Sequence, residues 1–217
     1  MPGDSSRRLH PVLRWTVLLW LLVWLPVNVQ AWGWQNMMHF CDVGAVLACL
    51  GIFFESPLLI STQAVSALFV GILWALDVGW RIAFGHHLFG GTEYMWDTNY
   101  PLWLRLLSLF HLWLPVALLE VLRKLSYDSR ALAVQSAIAA VLLIISRFLD
   151  PALNMNYAFQ DPLFHRAWGA APVHLAVILA GTIIIIYWPT HMILRRIFSA
   201  PATADGNQRL TSRAQIG

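Results

Sequence analysis

Six apolar runs divide the chain, at about 12–29, 37–54, 58–80, 102–122, 131–149 and 173–194. Each approaches the ~20 residues a helix needs to cross the hydrocarbon core of a bilayer, where only helices and closed barrels satisfy their own backbone polar groups. Composition agrees. Of 217 residues, 59% are hydrophobic and 12% charged, whereas soluble domains carry about 25% charge. A water-soluble globule is excluded. With two cysteines, 11 prolines and 13 glycines, so are a disulfide scaffold, a collagen-like chain and a disordered one. The expected fold is all-α: a polytopic membrane bundle of six transmembrane helices over residues 1–198, followed by a disordered polar tail, 199–217.

Basic residues set the orientation. With the amino terminus inside, Arg7, Arg8, Arg14, Arg123, Lys124, Arg130, Arg195, Arg196, Arg209 and Arg213 fall on the cytoplasmic face. Arg81, Arg105, Arg147 and Arg166 fall on the other. Ten against four satisfies the positive-inside rule, so both termini are expected in the cytoplasm and the protein in the cell membrane as a multi-pass chain. The net charge of +3 reflects this topology. No cluster of four basic residues occurs, and nucleic acid is not an expected partner. Arg7, Arg8, the first apolar run and Val29-Gln30-Ala31 also fit a cleavable signal peptide, whose removal would leave five spans in the same orientation.

In this topology the polar residues gather on the outer side. Asn28, Gln35, Asn36, His39, Cys41 and Asp42 surround the start of the second span, Asp77 and Arg81 end the third, and Arg105, Ser108 and His111 lie in the fourth. Arg147, Asp150, Asn154, Asn156, Tyr157, His165 and His174 flank or occupy the last outer loop. Glu120 and His191 are the main counterparts expected within the inner half. Ionisable groups within lipid face a bundle interior or an aqueous cavity, so one shared outer site is expected, with the loops 81–101 and 150–172 folded over it. Tryptophan and tyrosine near those loops also suit an interfacial belt.

Counting 1.5 Å per residue, Cys41 lies about 6 Å and His111 about 13 Å inside the outer surface. On a continuous helix His39 and Asp42 share a face, and Cys41 points away from His39. The helix start favours a thiolate at Cys41, while the Asp42 charge opposes it. Cys49 has no polar neighbour in sequence and reads as a packing residue. Pro115 frees the carbonyl of His111 and predicts a local kink. His86, His87, His165 and His174 show no metal-ligand spacing, and neither a metal nor another cofactor is expected. Phe89-Gly90-Gly91-Thr92 lacks the spacing and lysine of a phosphate loop.

Met38-His39-Phe40-Cys41-Asp42, then Pro101 with Arg105 and His111, then Asn156-Tyr157-Ala158-Phe159 follow one another in an order that resembles the bacterial YwaF-type integral membrane proteins, over roughly residues 15–190. Proteins of that type are similar to a eukaryotic membrane acyltransferase acting on ether phospholipids through a cysteine intermediate. The resemblance implies an acyltransferase or lipid hydrolase with Cys41 as nucleophile and His111 as base. Its implied substrate is a phospholipid or fatty-acid ester drawn from the membrane. Arg105, Asn156, Tyr157, His39, Asp42 and Asp77 are the expected substrate-binding residues, with Asp42 standing where the family carries an uncharged residue. The alternative expectation is a non-enzymatic protein whose outer pocket binds a lipid or small ligand. A reporter fused after Arg196 should be active in the cytoplasm; activity confined to the outer side would overturn the topology.

Overall fold

A computed structural model describes residues 9–198, in which every regular element is helical. The tail expected to be disordered, 199–217, lies outside the described residues. Helix α1 (Pro11–Trp32) begins with proline at its first turn, where the missing N–H is not needed, and His10 Nδ1 accepts from the Val12 N–H. It ends at Gly33, whose φ of 83° takes the chain out of the helix. A 3₁₀ turn (Trp34–Met38) leads to α2 (Phe40–Phe53), and a tight turn at Glu55 to α3 (Pro57–Phe84). The Ser56 hydroxyl caps α3 by accepting from Leu59 N–H at 3.4 Å. Then follow α4 (Leu102–Leu106), a 3₁₀ turn (Leu107–Leu109), α5 (Phe110–Leu125) and α6 (Ala131–Ser146). The last long helix comprises α7 (Ala171–Thr182), a π-helical turn (Ile183–Tyr187) and α8 (Trp188–Phe198).

Four helical stretches are long and apolar enough to cross a membrane: Pro11–Trp32, Pro57–Phe84, Leu102–Leu125 and Ala171–Phe198. Their exposed side chains include Leu19, Leu22, Ile72, Val116, Ile184 and Ile193, an apolar exterior suited to lipid rather than water. The other two expected spans are shorter. With 14 and 16 residues, α2 and α6 measure about 21 and 24 Å, against a hydrocarbon thickness of roughly 30 Å. The expected runs 37–54 and 131–149 lose their first and last residues, respectively, to turns. The chain is extended at His39 (φ −59°, ψ 143°), and α6 gives way to turns after Ser146.

Helix α3 is the central element, packed against α2, α5, α6 and α8. Small residues set its close approaches. Gly51 of α2 faces Leu59 and Ile60, and Gly71 of α3 lies against α5 where Pro115 has freed the His111 carbonyl. A stack of Trp20, Trp24, Phe110 and Trp113 joins α1 to α5. At the opposite end from the long loops, Arg14 pairs with Glu55 at 2.5 Å and donates from Nε to the Phe53 carbonyl at 2.9 Å, fixing α1 on the α2–α3 turn.

A Cβ at Gly71 would meet the His111 carbonyl oxygen at 2.6 Å and Pro115 Cγ at 2.7 Å. Gly71→Ala should therefore cost about 1–3 kcal/mol through overpacking, read as a lowered Tm in detergent. Gly79→Ala, where nothing lies within 4 Å of the new carbon, should leave Tm unchanged or raise it. Equal Tm values for the two variants would refute this account of the α3–α5 contact.

Candidate functional site

Asp77, one of the expected substrate-binding residues, is buried near the end of α3 and spends its carboxylate on the following loop. Oδ1 accepts from the N–H groups of Leu88, Phe89 and Gly90 at 2.8, 2.7 and 3.2 Å. Oδ2 accepts from the Thr92 hydroxyl and meets His87 Nδ1 at 2.9 Å. Charge-assisted bonds of this kind are stronger than neutral ones, so Asp77 latches residues 87–92 to the helix end. Farther along the loop, Arg105 Nη1 donates to the Met95 carbonyl at 2.7 Å, while its buried Nε has no partner. Arg105 thus holds the loop from the α4 side.

The latched loop delivers Tyr94 to the centre of the polar cluster. The Tyr94 hydroxyl accepts from Trp74 Nε1 at 2.8 Å, with the Ser108 hydroxyl beside it and Cys41 and Asp42 within electrostatic reach. Burial pushes the Tyr94 phenol up to about 12, against the two helpful hydrogen bonds. His111 stacks on Trp74 with ring centroids 5.3 Å apart. Its Nδ1–H donates to the Ser108 carbonyl at 2.9 Å, since a carbonyl can only accept. Nε2 therefore keeps its lone pair and has no hydrogen-bond partner among the described residues. The 3₁₀ turn at Leu107–Leu109 helps make this possible, because three residues per turn bring positions 108 and 111 into line.

His39 lies close enough to His111 for their charges to interact. Because the chain is extended at His39, the shared helix face expected for His39 and Asp42 does not exist. Asp42 occupies the first turn of α2, where the helix dipole favours an anion. It accepts from Asn36 Nδ2 at 3.2 Å. Among the described residues the Cys41 thiol makes one polar contact, a long one to Asp42 Oδ1 at 3.9 Å, and no hydrogen bond joins it to His111. Cys49 is buried in the apolar core.

The second loop is organised by side-chain amides and carboxylates. Asn156 donates from Nδ2 to the Met38 carbonyl at 2.7 Å and to Ser146 Oγ at 3.0 Å, and its Oδ1 accepts from Phe40 N–H at 2.9 Å. Both amide donors are thereby used inside the protein, so Asn156 caps α2 and ties it to the end of α6. The φ of 53° at Asn156 suits asparagine, which tolerates the left-handed region. Tyr157 is partly exposed, within electrostatic reach of Cys41 and Glu93. Its carbonyl accepts from His174 Nε2 at 2.9 Å, while His174 Nδ1 accepts from Trp168 N–H at 3.3 Å. Asp161 closes the loop by accepting from Leu163, Phe164 and Arg166 N–H groups. Desolvation acts to raise its carboxyl, yet these N–H groups and the Arg166 charge hold it below the usual carboxylate range.

The eight expected residues divide between a cluster and the anchors of the loops that flank it. His39, Cys41, Asp42 and His111 converge near Tyr94, whereas Asp77 and Asn156 secure the loops above them. Arg105 is a loop anchor, and Tyr157 borders the cluster. Sequence reasoning had grouped Ser108 with Arg105 and His111 but missed Tyr94 and Trp74 as members. It also missed a buried polar group deeper in the bundle: Gln63 Nε2 donates to Gln135 Oε1 at 3.5 Å, and Gln135 Nε2 to the Tyr187 hydroxyl at 3.3 Å. The glutamines inside two apolar runs were the available signal. Tyr187 reaches them at the end of the π-helical turn.

Among the described residues no group of three or more His, Cys, Asp or Glu side chains is arranged to hold a metal ion. No protein-family model, curated protein or solved structure matches the chain.

Asp77→Ala should release residues 87–92, lowering their local opening free energy by about 3 kcal/mol as several acceptor bonds are lost. Amide hydrogen exchange should accelerate at Leu88, Phe89 and Gly90 and stay unchanged at Leu163 and Phe164. Protection retained at all five amides would show that the carboxylate is not the latch.

Proposed function

We propose that this chain is a multi-pass protein of the cell membrane with both termini in the cytoplasm, and that its outer end binds a small polar ligand or a lipid head group beneath the loop 81–101. In this arrangement α2 and α6 complete a six-helix bundle, with their short outer ends continued by the folded loops. The observation that carries the reading is the gathering of His39, Cys41, Asp42, Tyr94 and His111 under a latched loop. Half-buried His111 keeps a lone pair on Nε2 that no group among the described residues uses, and a ligand donor would satisfy it. Hydroxyl, imidazole and carboxylate groups together supply donors and acceptors suited to an uncharged polar group or a head-group hydroxyl.

A second reading is favoured by the His111 tautomer. A base must offer a lone pair, and the bond from Nδ1–H to Ser108 leaves Nε2 in that state. In the acyl-transfer reading, which the YwaF-type resemblance also suggests, His111 takes the Cys41 proton. The thiolate attacks an ester carbonyl, the alcohol leaves with the proton, and water or a second alcohol resolves the thioester. The contact of the thiol with Asp42 instead of an imidazole makes this the weaker of the two.

Thiol labelling in membranes separates them. Under the binding reading, iodoacetamide labels Cys41 slowly, Asp77→Asn speeds this by opening the loop, His111→Ala does not slow it, and no fluorescent phospholipid ester is turned over. Under the acyl-transfer reading, His111→Ala slows labelling roughly tenfold or more, and Cys41→Ala abolishes turnover. Cys49 labelling as fast as Cys41 would count against both.

A further inference from the structure

Away from the polar cluster, α6 and α7 diverge around an open groove of about 420 Å³, within the roughly 300–1,000 Å³ typical of small-molecule sites. Its walls are apolar: Ala140, Leu143 and Ile144 on α6, and Leu175, Ala176 and Leu179 on α7. The alanines make the hollow, since the long neighbours on either side would otherwise close it. Of the four long helices, Ala171–Phe198 is the least buried, so this face is turned towards the bilayer.

One polar residue, Arg147, stands at the groove. Its Nη1 donates to the Ala158 carbonyl at 3.3 Å, and its guanidinium lies 4.1 Å from the Phe159 ring centroid. Among the described residues no acidic side chain pairs with it, so the cation is fixed in place with donors to spare. The groove is also held open by the protein itself. The adjacent carbonyls of Tyr157 and Ala158 bind His174 on α7 and Arg147 after α6, respectively. A rigid loop thereby sets the spacing of the two walls, which lowers the ordering cost of an occupant.

We infer that the α6–α7 groove is a binding site for one phospholipid, with an acyl chain between the helices and the phosphate on Arg147. An apolar trough open to lipid selects a hydrocarbon chain, and a guanidinium without a carboxylate partner selects an anionic oxygen, for which its planar fork is suited. The site is independent of the polar cluster around Tyr94.

Native mass spectrometry of the full chain, released from detergent after incubation with phosphatidylglycerol or with diacylglycerol of the same chains, tests this. Phosphatidylglycerol should be retained one per chain and diacylglycerol roughly tenfold less, the phosphate contact being the difference. Arg147→Gln, which keeps a donor for the Ala158 carbonyl, should erase that preference. Ala176→Phe fills the groove from an exposed position where a larger side chain is tolerated, and should remove retention of both lipids with Tm unchanged. Equal retention of the two lipids by the unmodified chain, undiminished phosphatidylglycerol binding in both variants, or a dimer that excludes lipid would each overturn the assignment.

Discussion

The side-chain amide of Asn156 joins three parts of the chain that would otherwise end separately at one end of the bundle. Its oxygen terminates the exposed N–H of Phe40 at the start of α2, and its nitrogen reaches the Met38 carbonyl and the Ser146 hydroxyl at the end of α6. In lipid or under a folded loop, water is not at hand to satisfy such groups, and each unpaired one costs free energy of the order of a hydrogen bond or more. The short length of α2 and α6 is tolerated because this amide closes their ends. The placement of Cys41 and Asp42 in the first turn of α2 follows from the same cap.

A second constraint acts at the middle of the bundle. Pro115 cannot donate to the His111 carbonyl, and Gly71 lets α3 come directly against that oxygen. This contact brings Trp74 of α3 alongside the His111 ring. The 3₁₀ turn before α5 then sets the imidazole on the Ser108 carbonyl. Packing of a small residue against an irregular helix thus fixes the orientation of His111, whose Nδ1–H is spent on the Ser108 carbonyl. Dynamics enter through the loop above it, which is secured by Asp77 and Arg105 at its two ends and contributes Tyr94 between them.

The gathering of polar groups at one end and the carbonyl of His111 freed by Pro115 were legible because charge in lipid and proline in a helix carry fixed physical penalties. The apolar runs likewise announced the helices, but not where α2 and α6 stop. Helical-wheel reasoning failed at His39, since it assumed a helix through a residue whose extended backbone is imposed by Asn156, 117 positions later. Asp77 read as a ligand-binding residue because its sequence neighbours gave no hint that Leu88 to Thr92 would return to it.

Sequence alone determined the class of molecule, an all-helical chain with an apolar exterior, because hydropathy and chain length set the cost of exposing each segment to water or lipid. It also determined which residue types were too expensive to leave unpartnered. Tertiary structure alone decided the pairing: Tyr94 with Trp74, Gln63 with Gln135 and Tyr187, and Asn156 with Met38, Phe40 and Ser146. Those contacts depend on helix ends, loop returns and the rotation of each helix about its axis. Such quantities arise from long-range hydrogen bonds and packing, and no local window of residues contains them.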